Sequence, residues 1–119
     1  MAQDRPTASE LLAAIADFLR EEAVPALDRS NPALGFQMRV AANSLAILER
    51  EARLGPDADR REQERLVKLL GRAGSLVDLN SELAHQLRAG ERDETDANLM
   101  VHLEATIADK IAIANPRWK

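Results

Sequence analysis

The sequence predicts an all-α protein, and three observations carry that prediction. Apolar residues make up 45% of the 119, enough for a packed core. Only Phe18, Phe36 and Trp118 are aromatic, and β-branched residues are few against Ala, Leu, Glu and Arg, so the composition favours helix over sheet. The apolar positions recur at helical spacing through most of the chain, with no strand alternation. The expected architecture is a compact, mainly antiparallel bundle of five helices. It forms a single domain over residues 1–119, with 1–6 as an N-terminal tail.

The first helix is opened by Thr7 as N-cap, with Glu10 at the capping-box position. Leu11, Leu12, Ile15, Phe18 and Leu19 share one face, and Pro25 is expected to end or kink the helix near Val24. Ser30 to Gly35 reads as a turn. The second helix runs from about Phe36 to Leu54, with Met38, Ala41, Leu45, Leu48 and Ala52 as its stripe and Val40 and Ile47 as a smaller patch elsewhere. Gly55-Pro56 is expected to stop it.

The third helix spans roughly Ala58 to Leu70. Its polar first half, Asp57 to Arg65, is expected to be solvated, and burial falls to Leu66, Val67, Leu69 and Leu70. Ser75 with Asp78 opens the fourth helix, which carries Leu76, Leu79, Leu83 and Leu87 and stops at Gly90. An acidic loop follows. Thr95 or Asp96 caps the fifth helix, whose stripe is Leu99, Met100, Leu103, Ile107, Ile111 and Ala114. Its other side, Val101, Ala105, Ala108 and Ala112, is also apolar, which predicts a central position among the helices. Asn115-Pro116 ends it.

Bulk properties exclude several classes. The formal charge is −4, from 16 basic and 20 acidic side chains without a basic stripe, so a nucleic-acid footprint is missing. Without cysteine there is no disulfide and no thiolate metal site. No apolar run reaches membrane-spanning length, and the polar start is unlike a signal peptide, so a cytoplasmic protein with no membrane partner is expected.

Certain polar residues lie on or beside apolar arcs when positions are placed at about 100° per residue. Lys110 falls between Leu99 and Leu103, and Glu22 between Leu11 and Ile15. Arg39 and Asn43 lie one turn apart, with Arg50 continuing the strip, and Asn80 borders the fourth leucine stripe. Three readings compete: side chains reaching out to water, a buried pair of Glu22 with Lys110 or Arg39 satisfied by Asn43, Asn80 or Asn115, or a ligand site. In the last, Lys110 and Arg39 hold a carboxylate or phosphate, with asparagines orienting it. Trp118 beside Arg117 is either a terminal lid or a partner anchor.

The remaining motifs favour bland readings. Glu82-Leu-Ala-His85 matches half of a carboxylate-bridged metal site, but His102 has Leu99 where a second motif needs Glu, so neither a metal nor any other cofactor is expected. His102 and Asp109 share one side of the last helix without a nucleophile, which reads as a solvated face rather than an acid/base pair. The stretch at Gly71 to Gly74 lacks the lysine and spacing of a phosphate-binding loop. The Val40/Ile47 patch and the Ala-rich side of the last helix leave a homodimer open.

The stretches Arg5 to Glu22, Arg39 to Glu51 and Lys110 to Trp118 together resemble an uncharacterised family of small bacterial helical proteins. Its members share an opening Arg-Pro-Thr, a central Arg-Val-Ala-x-Asn and a closing Lys-x-x-x-x-Asn-Pro-aromatic pattern. That pattern falls on Arg39, Asn43, Lys110, Asn115 and Pro116, with Trp118 one residue later than in its shortest form. The resemblance implies genes beside aminoglycoside-phosphotransferase-like kinases and acyl-CoA dehydrogenases. It therefore implies an accessory, non-catalytic role in acyl-CoA or hydroxy-acid breakdown, with one of those enzymes as partner. A small-ligand binding module is the alternative.

Overall fold

The computed structural model describes residues 4–117, and these are helical throughout apart from turns and loops. They form four helices rather than five. α1 occupies residues 8–30: it is α-helical over Ala8–Phe18, passes through one π-helical stretch at Leu19–Ala23, and resumes over Val24–Ser30. α2 is Pro32–Leu70, α3 is Leu76–Arg88 and α4 is Ala97–Ala114.

The fifth helix disappears because Gly55-Pro56 does not stop α2, which carries Pro56 in its interior. Proline normally forces the preceding residue out of the helical region by colliding with its Cβ. Gly55 lacks the Cβ and so escapes part of that clash, and the flanking Leu, Glu, Arg and Ala residues sustain the helix on both sides. The dipeptide instead marks a boundary of another kind. The chain divides into two compact units, residues 1–54 and 55–119, and the division falls between Leu54 and Gly55.

Pro25 does not end its helix, but the regular α-helix is interrupted just before Val24 by the π-helical stretch Leu19–Ala23. The preceding π turn, in which the Val24 N–H reaches the Leu19 carbonyl, widens the backbone just where the proline ring would meet the carbonyl four residues back. The expected turn from Ser30 to Gly35 shrinks to Asn31, whose side chain accepts from the Leu34 N–H at 3.2 Å and starts α2.

The first unit is an antiparallel hairpin of α1 and the first half of α2. Ser9 Oγ donates to Glu49 Oε2 at 2.7 Å, and Arg20 Nη2 donates to Asn43 Oδ1 at 3.2 Å. Nearer the turn, Arg39 Nη2 donates to both Asp28 carboxylate oxygens at 2.8 and 2.6 Å. Its interior is built from small residues: Ala16, Val24 and Ala42 are buried, as is Gly35 against Asp28.

The second unit combines the rest of α2 with α3 and α4. Its core is Leu66, Leu79, Leu83 and Leu99, with Val67, Leu69, Leu70, Leu76 and Leu103 packed around them. Local signals fix the ends. Thr7 and Glu10 form the full capping box of α1, Ser75 accepts from the Asp78 N–H, and Asp96 rather than Thr95 caps α4. After α3, Gly90 takes φ +75°, the Glu91 N–H reaches the Gln86 carbonyl, and the Gly90 N–H reaches that of Leu87. These paired bonds satisfy carbonyls the helix end leaves open.

α4 is not enclosed on both sides as its two apolar faces suggested. Leu99 and His102 are buried, but Val101, Ala108, Ala112 and Ile107 are exposed.

Candidate functional site

The polar stretch of α2 faces water at Asp57, Asp59, Arg60, Arg61 and Glu64, as expected, and it also supplies the ties of the second unit. Arg61 pairs with Asp109 at 3.2 Å, and Asn80 Nδ2 donates to Glu62 Oε2 at 3.0 Å. Gln63 Nε2 donates to the Gly74 carbonyl at 2.7 Å, holding the start of α3. Arg65 Nε donates to His102 Nδ1 at 3.2 Å, while its Nη2 donates to Thr106 Oγ1 at 3.1 Å. Arg61 and Arg65 on α2 lie four residues apart, as His102, Thr106 and Asp109 on α4 lie three or four apart, so these side chains meet along the facing helices, while Glu62 and Gln63 reach α3 and the connection before it.

His102 is therefore not on a solvated face. It is 4% exposed, and burial first, then the Arg65 charge, holds its pKa below the ordinary imidazole value, with Glu62 acting weakly the other way. Because Arg65 donates to Nδ1, the neutral ring carries its proton on Nε2. His102 and Asp109 do not act as a pair: Asp109 belongs to Arg61. Beside the imidazole lies a cleft of about 300 Å³ lined by Arg65, Lys68, Leu69, Asn98, Val101 and His102.

The residues singled out from the sequence lie apart from this cleft. Lys110 is exposed and lines a groove with Ile107, Ile111, Ala114 and Asn115. Asn115 is the C-cap of α4, its N–H reaching the Ile111 carbonyl at 2.8 Å. Glu22 is exposed too, so neither Glu22 nor Lys110 is half of a dry buried pair. Arg39 pairs with Asp28 rather than Glu22. Arg39 and Asn43 do come together, lining a recess with Arg20 and Val24. Asn80 is satisfied by Glu62. Arg117 is exposed, and Trp118 lies outside the described residues. Glu82 accepts from Gln86 Nε2 at 2.8 Å and His85 is exposed. Among the described residues no cluster of His, Asp or Glu is arranged to hold a metal ion.

Sequence reasoning missed Arg92, lost in a loop read as merely acidic. Its Nε donates to Gln86 Oε1 on α3, its Nη1 to the α4 cap Asp96 at 2.8 Å, and its Nη2 to the Leu69 carbonyl at the end of α2 at 2.8 Å. The Leu99 N–H, and then Arg92, hold the Asp96 carboxyl below the usual carboxylate range. The one available signal was the spacing of Arg92 and Asp96, an i, i+4 pair.

The described helices include none long and apolar enough to cross a membrane. No curated protein matches the chain, and neither does any solved structure. A family model does match, over residues 25–118, from the second part of α1 to the penultimate residue. The chain thus belongs to the family described as Domain of unknown function (DUF6285).

Proposed function

We propose that this is a non-catalytic interaction protein that docks through the open apolar stripe of α2 in the first unit. One observation carries the reading: the hairpin is inverted in size. Its interior holds Ala16, Val24, Ala42 and Gly35, whereas Phe18 is 59% exposed, Phe36 63%, and Leu11, Ile15, Val40 and Leu48 each close to half. On α1, Leu11, Ile15 and Phe18 fall within about 60° of one another, beside the inner arc of Leu12 and Ala16. On α2, Phe36, Val40 and Ile47 fall within about 40°, roughly opposite Met38, Ala42 and Leu45. Soluble proteins seldom leave apolar residues of this size gathered on one element without a partner, because each buried Phe or Leu contributes about 1.5–3 kcal/mol.

The resemblance supplies the partner class: an aminoglycoside-phosphotransferase-like kinase or an acyl-CoA dehydrogenase, in a bacterial cytoplasm, serving acyl-CoA or hydroxy-acid breakdown. A second copy of the chain is the competing occupant. The test mixes the purified chain with a kinase and an acyl-CoA dehydrogenase of those classes and follows co-elution by light scattering. A complex that forms with one enzyme and is lost in the double variant Phe36→Ser, Val40→Ser supports the reading. Free migration of the chain beside both enzymes, or a complex indifferent to those substitutions, overturns it.

A further inference from the structure

Arg65 presents an unbalanced charge. It is half-buried, yet its two bonds go to a neutral imidazole nitrogen and a hydroxyl, and among the described residues no carboxylate lies within ion-pair distance of it. Structural arginines in this unit behave otherwise: Arg61 has Asp109 and Arg92 has Asp96. One turn along, Lys68 lines the same cleft, again with no ion pair among the described residues. The cleft lining therefore holds two cations and no anion; Glu62, which acts on His102, lies outside it and accepts from Asn80. Arg65 keeps Nη1 free of the bonds to His102 and Thr106, the His102 proton sits on Nε2, and Asn98 adds an amide. Every one of these groups is a hydrogen-bond donor.

The rest of the lining is apolar. Leu69 and Val101 contribute hydrocarbon, and Val101 is 64% exposed. A fully hydrated inorganic anion would leave that wall facing water. A planar carboxylate suits the guanidinium edge, and a hydrocarbon tail suits Leu69 and Val101.

We propose that the cleft lined by Arg65, Lys68, Asn98 and His102 between α2 and α4 binds a small organic carboxylate with a short apolar body. The carboxylate sits against Arg65 and Lys68, and the tail lies along Leu69 and Val101. This inference stands apart from the docking surface of the first unit and does not depend on it.

The test is a titration of the full chain, ¹⁵N-labelled, with sodium hexanoate, inorganic phosphate and hexanol at matched ionic strength. Hexanoate is expected to give saturable amide shifts at Lys68, Leu69, Asn98 and Val101. Arg65 also holds His102 and Thr106, so the informative variant is Lys68→Gln, at an exposed position that leaves those bonds in place. It is expected to weaken hexanoate about tenfold while the rest of the spectrum stays unchanged. Shifts that do not saturate by roughly tens of millimolar, or an unaltered affinity in Lys68→Gln, overturn the proposal. Phosphate or hexanol binding as well as hexanoate overturns it too, since either result removes the need for one half of the site.

Discussion

Arg92 Nη2 donates to the Leu69 carbonyl at 2.8 Å, so a residue of the last loop closes the end of the longest helix. The last carbonyls of a helix lack partners within it, and they carry the negative end of its dipole. A guanidinium answers both needs, and here the same group also holds Gln86 and Asp96.

Arg92→Ala is expected to destabilise the protein by about 1–3 kcal/mol, the range for losing charge-assisted bonds at a half-buried site. Arg92→Lys should recover less than half, because a single ammonium lacks the fork that reaches three acceptors. Urea denaturation midpoints measure both. A neutral Arg92→Ala would show that the three bonds are replaced by water at no cost.

Acid should weaken the second unit through His102. The unfolded chain takes up a proton near pH 6.5, the ordinary imidazole value, whereas burial and Arg65 keep the native ring neutral to lower pH. The unfolded state then binds more protons, so stability is full above about pH 6.5 and is lost as pH falls toward the native pKa. His102→Gln removes that slope. Unfolding midpoints at pH 7.5 and 5.5 should separate for wild type more than for the variant, and equal slopes would contradict the assignment.

Pro56 lies inside α2 without an N–H to give. Pro56→Ala restores the donor and should raise stability, by up to about 3 kcal/mol. Gly55→Val should lower it, since a branched Cβ crowds the proline ring and α2 has no π turn there like the one preceding Val24-Pro25. Thermal unfolding of the two variants tests the account. A destabilised Pro56→Ala would mean the proline is needed for a reason other than helix continuity.

Gly35→Ala sets two small effects against each other. A Cβ there would come within 2.7 Å of Asp28 Oδ1, displacing the carboxylate from Arg39. That exposed pair is worth about 0–1 kcal/mol, and alanine returns about 1 kcal/mol of helix propensity. The expected net change is within about 0.5 kcal/mol of zero, read from the denaturation midpoint. A loss beyond about 2 kcal/mol would show instead that the backbones of α1 and α2 cannot part at Gly35.

What was legible in the sequence was local. Thr7 with Glu10, Ser75 with Asp78, and Gly90 act within one helical turn, and the structure places each as its chemistry requires. The leucines of the second unit's core also followed from spacing. Gly55-Pro56 does not act as a stop because a proline's effect depends on the helix around it: both Pro25 and Pro56 are accommodated inside helices. His102 could have been placed: it sits three residues from Leu99, about 60° around the helix, at the margin of the buried arc. Arg92 could not, since its partners lie on three separate helices. The Lys110 and Glu22 positions looked anomalous because a wheel shows an apolar arc without showing whether anything covers it, and on α1 the outer half stays open.

The division of the chain at Gly55 bears on how it breathes. Unit one hides two alanines, a glycine and Val24, while unit two hides four leucines, yet α2 is common to both. At their junction Pro56 removes one rung of the helical ladder, so protection has its weakest link there. Amide exchange should accordingly sort into two classes on a single helix. The deuterium front advances from Pro32 to the proline early, and the amides around Leu66 hold their protons until the whole second unit opens.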